Sequence, residues 1–389
     1  MPAPLYLGPF ATMVDRFAVA PMLIPIAASL HVSLAAASAA ASLYYLAYGL
    51  MPALYGVLAD RVGRVHVIRL ALAGTAVADV LSALAPNLPT LLAARFITGG
   101  IACGVMPTTL VYIGDRFPFT TRQQAVTRVL VFVAVGTAVG TLAAGIIAHL
   151  LTWRVFFLFP ALLMVVTALA LGGVPESLVR RSSQHPIAQF GLVLRQRWAL
   201  FLLTLSLLVG AVMFGLITYL APALESNGQS AAVAGIVVAS YGVSVLAFTR
   251  VFPLIVRRVA VPLILAVGAG MLLLGYLVAA GSQLLPAILI ASVLAGGAYA
   301  FMQSTFQTWA TDIVPEARGV ATALFATSIF GGAALATAAV AGLASSHRYS
   351  TLFLIGAILT VPVLVAGSIG RWRYPGSPSS ETTASAPIA

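Results

Sequence analysis

The chain is made mostly of apolar stretches longer than a soluble core needs. Twelve of them run for roughly 20 to 27 residues each, at 5–30, 36–58, 66–86, 88–111, 124–148, 152–173, 198–222, 231–254, 260–281, 284–310, 317–342 and 348–370. About 20 apolar residues in a helix cross a hydrocarbon core of ~30 Å. Only 7% of the 389 residues are charged and 61% are hydrophobic, whereas a soluble domain is about a quarter charged. Backbone in lipid must satisfy its hydrogen bonds within its own segment. The expected fold class is therefore an all-α membrane protein with twelve transmembrane helices.

Arginine sets the expected orientation. The chain has no Lys, and its twenty basic residues are all Arg. Sixteen lie in loops after even-numbered segments or in the tail: Arg61, Arg64, Arg69, Arg116, Arg122, Arg128, Arg180, Arg181, Arg195, Arg197, Arg250, Arg257, Arg258, Arg318, Arg371 and Arg373. Only Arg154 and Arg348 lie on the opposite side, and Arg16 and Arg95 fall within spans. This bias predicts that both termini are cytoplasmic. It also accounts for the net charge of +11 without nucleic acid as a partner. The single cysteine, Cys103, is in an apolar segment and has no intramolecular disulfide partner. No cleavable leader is expected, because the first apolar run is too long and has no basic start.

The chain divides near its middle. Residues 175–197 carry four Arg and one Glu and read as a cytoplasmic linker between bundles at 1–174 and 198–370. Residues 371–389 are expected to be a disordered cytoplasmic tail, because most are Ser, Thr, Pro and Ala. An internal echo supports two related halves: Asp115 and Pro118 at the end of segment 4 recur as Asp312 and Pro315 at the end of segment 10, 197 residues on. Repeats of six helices are a transporter architecture.

Several motifs then point one way. Gly56-Val-Leu-Ala-Asp-Arg-Val-Gly-Arg64 lies between segments 2 and 3. Arg95-Phe-Ile-Thr-Gly99 opens segment 4, Trp153-Arg154 marks the turn before segment 6, and Pro315-Glu-Ala-Arg-Gly319 opens segment 11. In order and spacing these resemble the major facilitator superfamily over nearly the whole chain. Asp15-Arg-Phe-Ala-Val-Ala-Pro21 is similar to the first helix of its drug:proton antiporter and sugar-efflux branch. The resemblance implies two pseudo-symmetric six-helix bundles, alternating access and an important Arg in helix 4. The chain departs from the antiporter pattern in segment 5, where Gly136, Gly140 and Gly145 stand without the usual Gly-Pro step.

Charges inside the spans are the candidates for chemistry, since each costs roughly 2.5–3.5 kcal/mol to insert. Asp15 and Arg16 sit near the middle of segment 1, pointing ~100° apart. Asp15 is expected toward the central cavity as the leading proton carrier, and Arg16 toward a neighbouring helix or the inner vestibule. Asp79 and Arg95 lie at matching depth on antiparallel neighbours and are expected to approach. They read either as a static buried pair or as a proton-coupling device in which Arg95 changes partners. Asp15, Asp79 and Arg95 are thus the proton-coupling candidates.

Substrate-cavity candidates are Arg16, Tyr44, Tyr45, Tyr48, Tyr219, Tyr241, Tyr299 and Gln303, whose polar tips need partners within the bilayer. For each of them interhelical packing is the competing reading. Gly136, Gly140, Gly331 and Gly332 are expected at close helix approaches. A cytoplasmic gate is expected from Gly56, Asp60, Arg61, Gly63, Arg64, Asp115, Asp312 and Arg318. In it Asp60 would meet the start of segment 11, Arg61 or Arg64 would reach Asp115, and Arg257 or Arg258 would reach Asp312. The five histidines lack metal-ligand spacing and read as surface residues.

The pattern predicts a monomeric secondary transporter in a bacterial inner membrane. Its expected activity is proton-coupled efflux, by antiport, of a small organic or drug-like compound. A proton-coupled importer or a facilitator is the alternative. No cofactor or metal is expected, and an enzyme is not, since no cluster of catalytic groups is present and a phosphate-binding loop lacks its Lys.

Overall fold

The computed structural model describes residues 2–176, 186–256 and 259–374. Arg180, Arg181, His185, Arg257, Arg258 and the tail beyond Tyr374 lie outside the described residues. The observed class is the expected one: two six-helix bundles without a strand among the described residues. The first half holds α1 (Pro4–Leu30), α2 (Leu34–Leu50, continued by Pro52–Val62), α3 (Arg64–Ala83), α4 (Leu88–Arg116), α5 (Phe119–Leu150) and α6 (Trp153–Gly173). The second holds α7 (Arg197–Glu225), α8 (Ala231–Val256), α9 (Val261–Gly281), α10 (Leu285–Asp312), α11 (Pro315–Ser345) and α12 (Tyr349–Arg373).

Helix starts follow local chemistry. Ser33 Oγ accepts from Ala36 N–H at 3.1 Å and Asn87 Oδ1 from Thr90 N–H at 3.0 Å, satisfying donors that a first turn leaves free. Leu88, Val261 and Leu285 are each followed by Pro, placed where its missing N–H costs nothing. The connection 175–197 contains a helix of its own, Pro186–Arg195, which packs against the start of α11.

Several spans are broken along their length, among them α2 at Met51. The α-helix of α1 ends at Arg16 and resumes at Leu23 through a 3-10 turn, Ala20–Met22. Pro21 cannot donate to the carbonyl of Phe17, and its ring crowds that carbonyl. The α4 helix breaks at Cys103–Gly104. In α7, a π-turn at Ala211–Gly215 runs into a 3-10 turn at Leu216–Tyr219, just before Pro222. Breaks inside a bilayer survive where the freed backbone groups are buried in protein, and residues 211–224 are all buried.

The halves meet along α2 against α11 and α5 against α8. Ala35 N–H donates to Ser345 Oγ at 2.6 Å, Ser42 Oγ to Ala334 O at 2.7 Å, and Thr327 Oγ1 to Gly49 O at 2.7 Å. Gly145 lies on Gly235, where a Cβ would stand 2.8 Å from the opposing Cα, and Gly242 lies on Ala138. These contacts run from the arginine-poor end to the middle of the molecule. That end is sealed. Every ion pair among the described residues, by contrast, lies within the first half or joins it to Glu176 at the start of the connection.

Candidate functional site

The deepest charges form one cluster. Arg95 Nη1 donates to Asp15 Oδ1 at 2.7 Å and to Asp79 Oδ1 at 3.2 Å, and Nη2 donates to Asp15 Oδ2 at 3.1 Å. All three side chains are fully buried. The guanidinium fork thus takes both oxygens of Asp15, the stronger geometry, and one oxygen of Asp79. Asp79 Oδ2 has no partner. The rings of Tyr44 and Phe157 cover Arg95, with centroids 4.8 and 4.9 Å from its Cζ.

Asp79 and Arg95 approach at matching depth, as antiparallel neighbours joined by a short turn do. Asp15 joining them corrects the expectation that it faces the central cavity. Asp15 turns into the first bundle, whereas Arg16 packs on Tyr48 of the neighbouring α2 and lines the cavity between the halves, as a cavity candidate should. Residue order fixes their ~100° separation but not the rotation of a helix that ends at Arg16 and restarts at Leu23.

Arg16 lies in a cavity between the halves lined also by Phe17, Tyr45, Phe214, Thr218 and Tyr241. Its Cζ is 3.9 Å from the ring centroid of Tyr48 and 5.1 Å from that of Phe330 in α11. Tyr45 and Thr218 bring their hydroxyls to 3.5 Å across the interface. Tyr299 packs its ring on Phe214 and Tyr241, at 6.0 and 6.1 Å. Gln303 lies one turn beyond Tyr299 toward the arginine-rich end, with its Nε2 donating to Gln307 Oε1 at 3.5 Å.

Two of the tyrosines do not belong to this cavity. Tyr219 is fully buried and donates to Thr337 O at 2.6 Å inside the second half, so packing won there. Tyr44 does not line the cavity: its ring covers Arg95, while its hydroxyl lies beside Arg16. Sequence reasoning missed Phe17, Thr141 and Phe214 as lining, and Phe330 beside Arg16. The mid-span breaks in α1 and α7 present Phe17 and Phe214, and the prolines beyond those breaks were the available signal.

At the arginine-rich end the structure differs from the expected latch. Asp60 Oδ1 pairs with Arg64 Nη1 one turn on, at 2.5 Å, rather than with the start of α11. Arg64 Nε also donates to Asp115 Oδ2 at 3.3 Å, while Arg61 and Arg318 are exposed. Asp312 accepts at its backbone carbonyl from Tyr374 Oη at 3.3 Å. Gly56 has open space around it, so it marks no close helix approach, and neither does Gly331. Gly63 has φ +107°, a conformation that favours glycine. The anion that does cap a helix start here is Glu176, which accepts from Val65 N–H at 2.9 Å and His66 N–H at 3.2 Å at the beginning of α3. A Cβ on Gly63 would stand 2.7 Å from that carboxylate.

Comparison with known proteins agrees with this geometry. The profile of the Major Facilitator Superfamily matches residues 5–260 and 220–387. Quinolone resistance protein NorB of Staphylococcus aureus is 29% identical over 178 residues, 44% of this chain and 38% of NorB. Niacin transporter NiaP of Acinetobacter baylyi is 31% identical over 123 residues, 32% of this chain and 28% of NiaP. The aligned stretches thus span well under half the length of these relatives. Among solved structures, nucleoside transporter NupG superposes with a TM-score of 0.74 at 16% identity, over 95% of this chain and 98% of NupG. A D-xylose-proton symporter superposes with a TM-score of 0.75 at 18% identity, over 95% and 96%. The helical architecture, the two halves meeting around a central cavity and the profile covering nearly the whole length agree: the chain belongs to the Major Facilitator Superfamily of membrane transporters.

Proposed function

We propose that this transporter works as a proton-coupled antiporter that exports a small organic compound. The reading places it as a monomer in a bacterial inner membrane, with the arginine-rich end and both termini in the cytoplasm. The sealed end then faces outward.

The observation that carries the reading is the Asp15–Arg95–Asp79 cluster. Three ionisable groups are wholly removed from solvent, and one cation stands against two carboxylates. A single proton brings the cluster to neutrality. Its natural seat is Asp79, because Asp79 Oδ2 lacks a partner while both Asp15 oxygens are held by Arg95. A buried network with one open acceptor is costly unless it is completed. Binding and release of one proton would therefore reset how α1, α3 and α4 are tied together. The similarity to NorB, a quinolone resistance protein, supports efflux of a drug-like compound.

The test uses proteoliposomes and a transported compound found by screening. An imposed inward proton gradient should drive the compound outward at least tenfold above the rate without a gradient. Asp79→Asn should remove that stimulation and keep exchange of labelled for unlabelled compound. Accumulation of the compound in the direction of proton flow would instead establish symport and overturn the antiport reading.

A further inference from the structure

Arg16 is a buried cation without an anion. Its side chain sits in the central cavity, and the residue is only 9% exposed. The polar groups that face it are the phenols of Tyr44, Tyr48 and Tyr299, which are neutral donors and acceptors. The chain has nine acids in total. Within the described spans near mid-depth only Asp15 and Asp79 occur, and both are bound to Arg95. Glu225 lies at the arginine-poor end of α7, and the other described acids lie at or beyond the arginine-rich end. An uncompensated charge at this depth is expensive and marks a functional site.

The geometry specifies the missing partner. Two guanidinium atoms, Nε and Nη2, are buried without a hydrogen-bond acceptor. They form one edge of the fork, and their N–H bonds run parallel. That edge matches the two oxygens of a carboxylate. The surroundings are aromatic: Phe17 and Phe214 lie 6.3 Å apart, Phe17 and Tyr241 5.8 Å, and Phe214 and Phe330 5.5 Å between centroids. Planar rings pack against such walls by offset or edge contacts. The hydroxyls of Tyr45 and Thr218 add neutral polar contacts across the gap.

We propose that the cargo is an aromatic monocarboxylate, held by its carboxylate on the Nε–Nη2 edge of Arg16 and by its ring between Phe17 and Phe214. A phosphate monoester fits less well, because it brings nearly two charges against one guanidinium in a low-dielectric site. The void in this arrangement is about 20 Å³, room for a single water, so the rings must part to admit the cargo. Phe17 and Phe214 belong to opposite halves and separate when the halves move. The proposal deepens the efflux reading and rests on it for direction only. Exchange of an organic anion leaving for a proton entering is driven by both the membrane voltage and the pH gradient.

Equilibrium binding to purified protein in detergent tests it without any gradient. The probes are benzoate, 2-naphthoate and indole-3-acetate, each beside its neutral amide, with phthalate as the dicarboxylate. At least one monocarboxylate should bind at least tenfold tighter than its amide and tighter than phthalate. Arg16→Gln should weaken that acid about 10- to 100-fold, the range for lost bonds to a charged group, and leave the amide unchanged. Arg16→Lys should restore only part of the affinity, since it keeps the charge but not the fork. Equal binding of acids and amides, or of no probe, by the unaltered protein overturns the proposal, even if Arg16→Gln fails to fold. Binding that survives in Asp79→Asn while proton-driven flux is lost separates this inference from the coupling mechanism.

Discussion

Arg95 touches two carboxylates from two other helices, and this sets what substitution there should do. Removing the cation leaves Asp15 and Asp79 facing each other in a site closed to solvent. Breaking a buried pair in this way costs about 3–5 kcal/mol. Arg95→Leu should therefore lower the thermal midpoint of the purified protein sharply, and Arg95→Leu combined with Asp15→Leu should recover much of the loss. A double variant no more stable than Arg95→Leu would show that the charge imbalance is not the cause. At this scale the sequence was partly legible. Asp79 and Arg95 were readable as a pair because Pro86 and Pro89 bracket a short turn that sets their depths. The orientations of Asp15 and Arg16 were not, since rotation of α1 is set by what packs on it. Gly140 is one such neighbour: a Cβ there would strike the backbone of Val14.

Adjacent glycines in α11 separate two kinds of small residue on one element. Gly332 lies against the backbone of Leu207 in α7, whereas Gly331 has nothing within 4 Å of its Cβ position. The sequence shows a Gly pair and cannot tell which member faces α7. Gly332→Ala should force α7 and α11 apart and destabilise the second half by about 1–3 kcal/mol, the usual cost of overpacking. Gly331→Ala should be tolerated with no loss of thermal midpoint. Equal effects of the two substitutions would contradict the packing described. The same limit explains the latch at the start of α3. Asp60 has a cation four residues on in the same stretch, Arg64, and the short local contact wins over a reach to α11. Glu176, more than a hundred residues away, supplies the cap of α3, and no local pattern in the sequence announces a contact of that range.

For the whole molecule the sequence was most informative, because a bilayer leaves few choices. Hydropathy alone placed the twelve spans close to their observed ends, and the mid-chain break with the Asp–Pro echo placed the two halves. It carried no information about which end is sealed, since the same contacts form and break as the halves move. The Ala35–Ser345, Ser42–Ala334 and Gly49–Thr327 contacts describe one arrangement of at least two. In the proposed mechanism a proton on the Asp15–Arg95–Asp79 cluster governs which arrangement is populated. Spin labels at Ala28 and Ser346, exposed on opposite sides of the sealed end, report it directly through their distance distribution by pulsed electron resonance. The distribution should shift between a short and a long distance as pH is varied from 5 to 9 in the otherwise unaltered protein. Asp79→Asn should hold one distribution throughout. An identical pH-dependent shift in Asp79→Asn, or no shift in the unaltered protein, would contradict this mechanism.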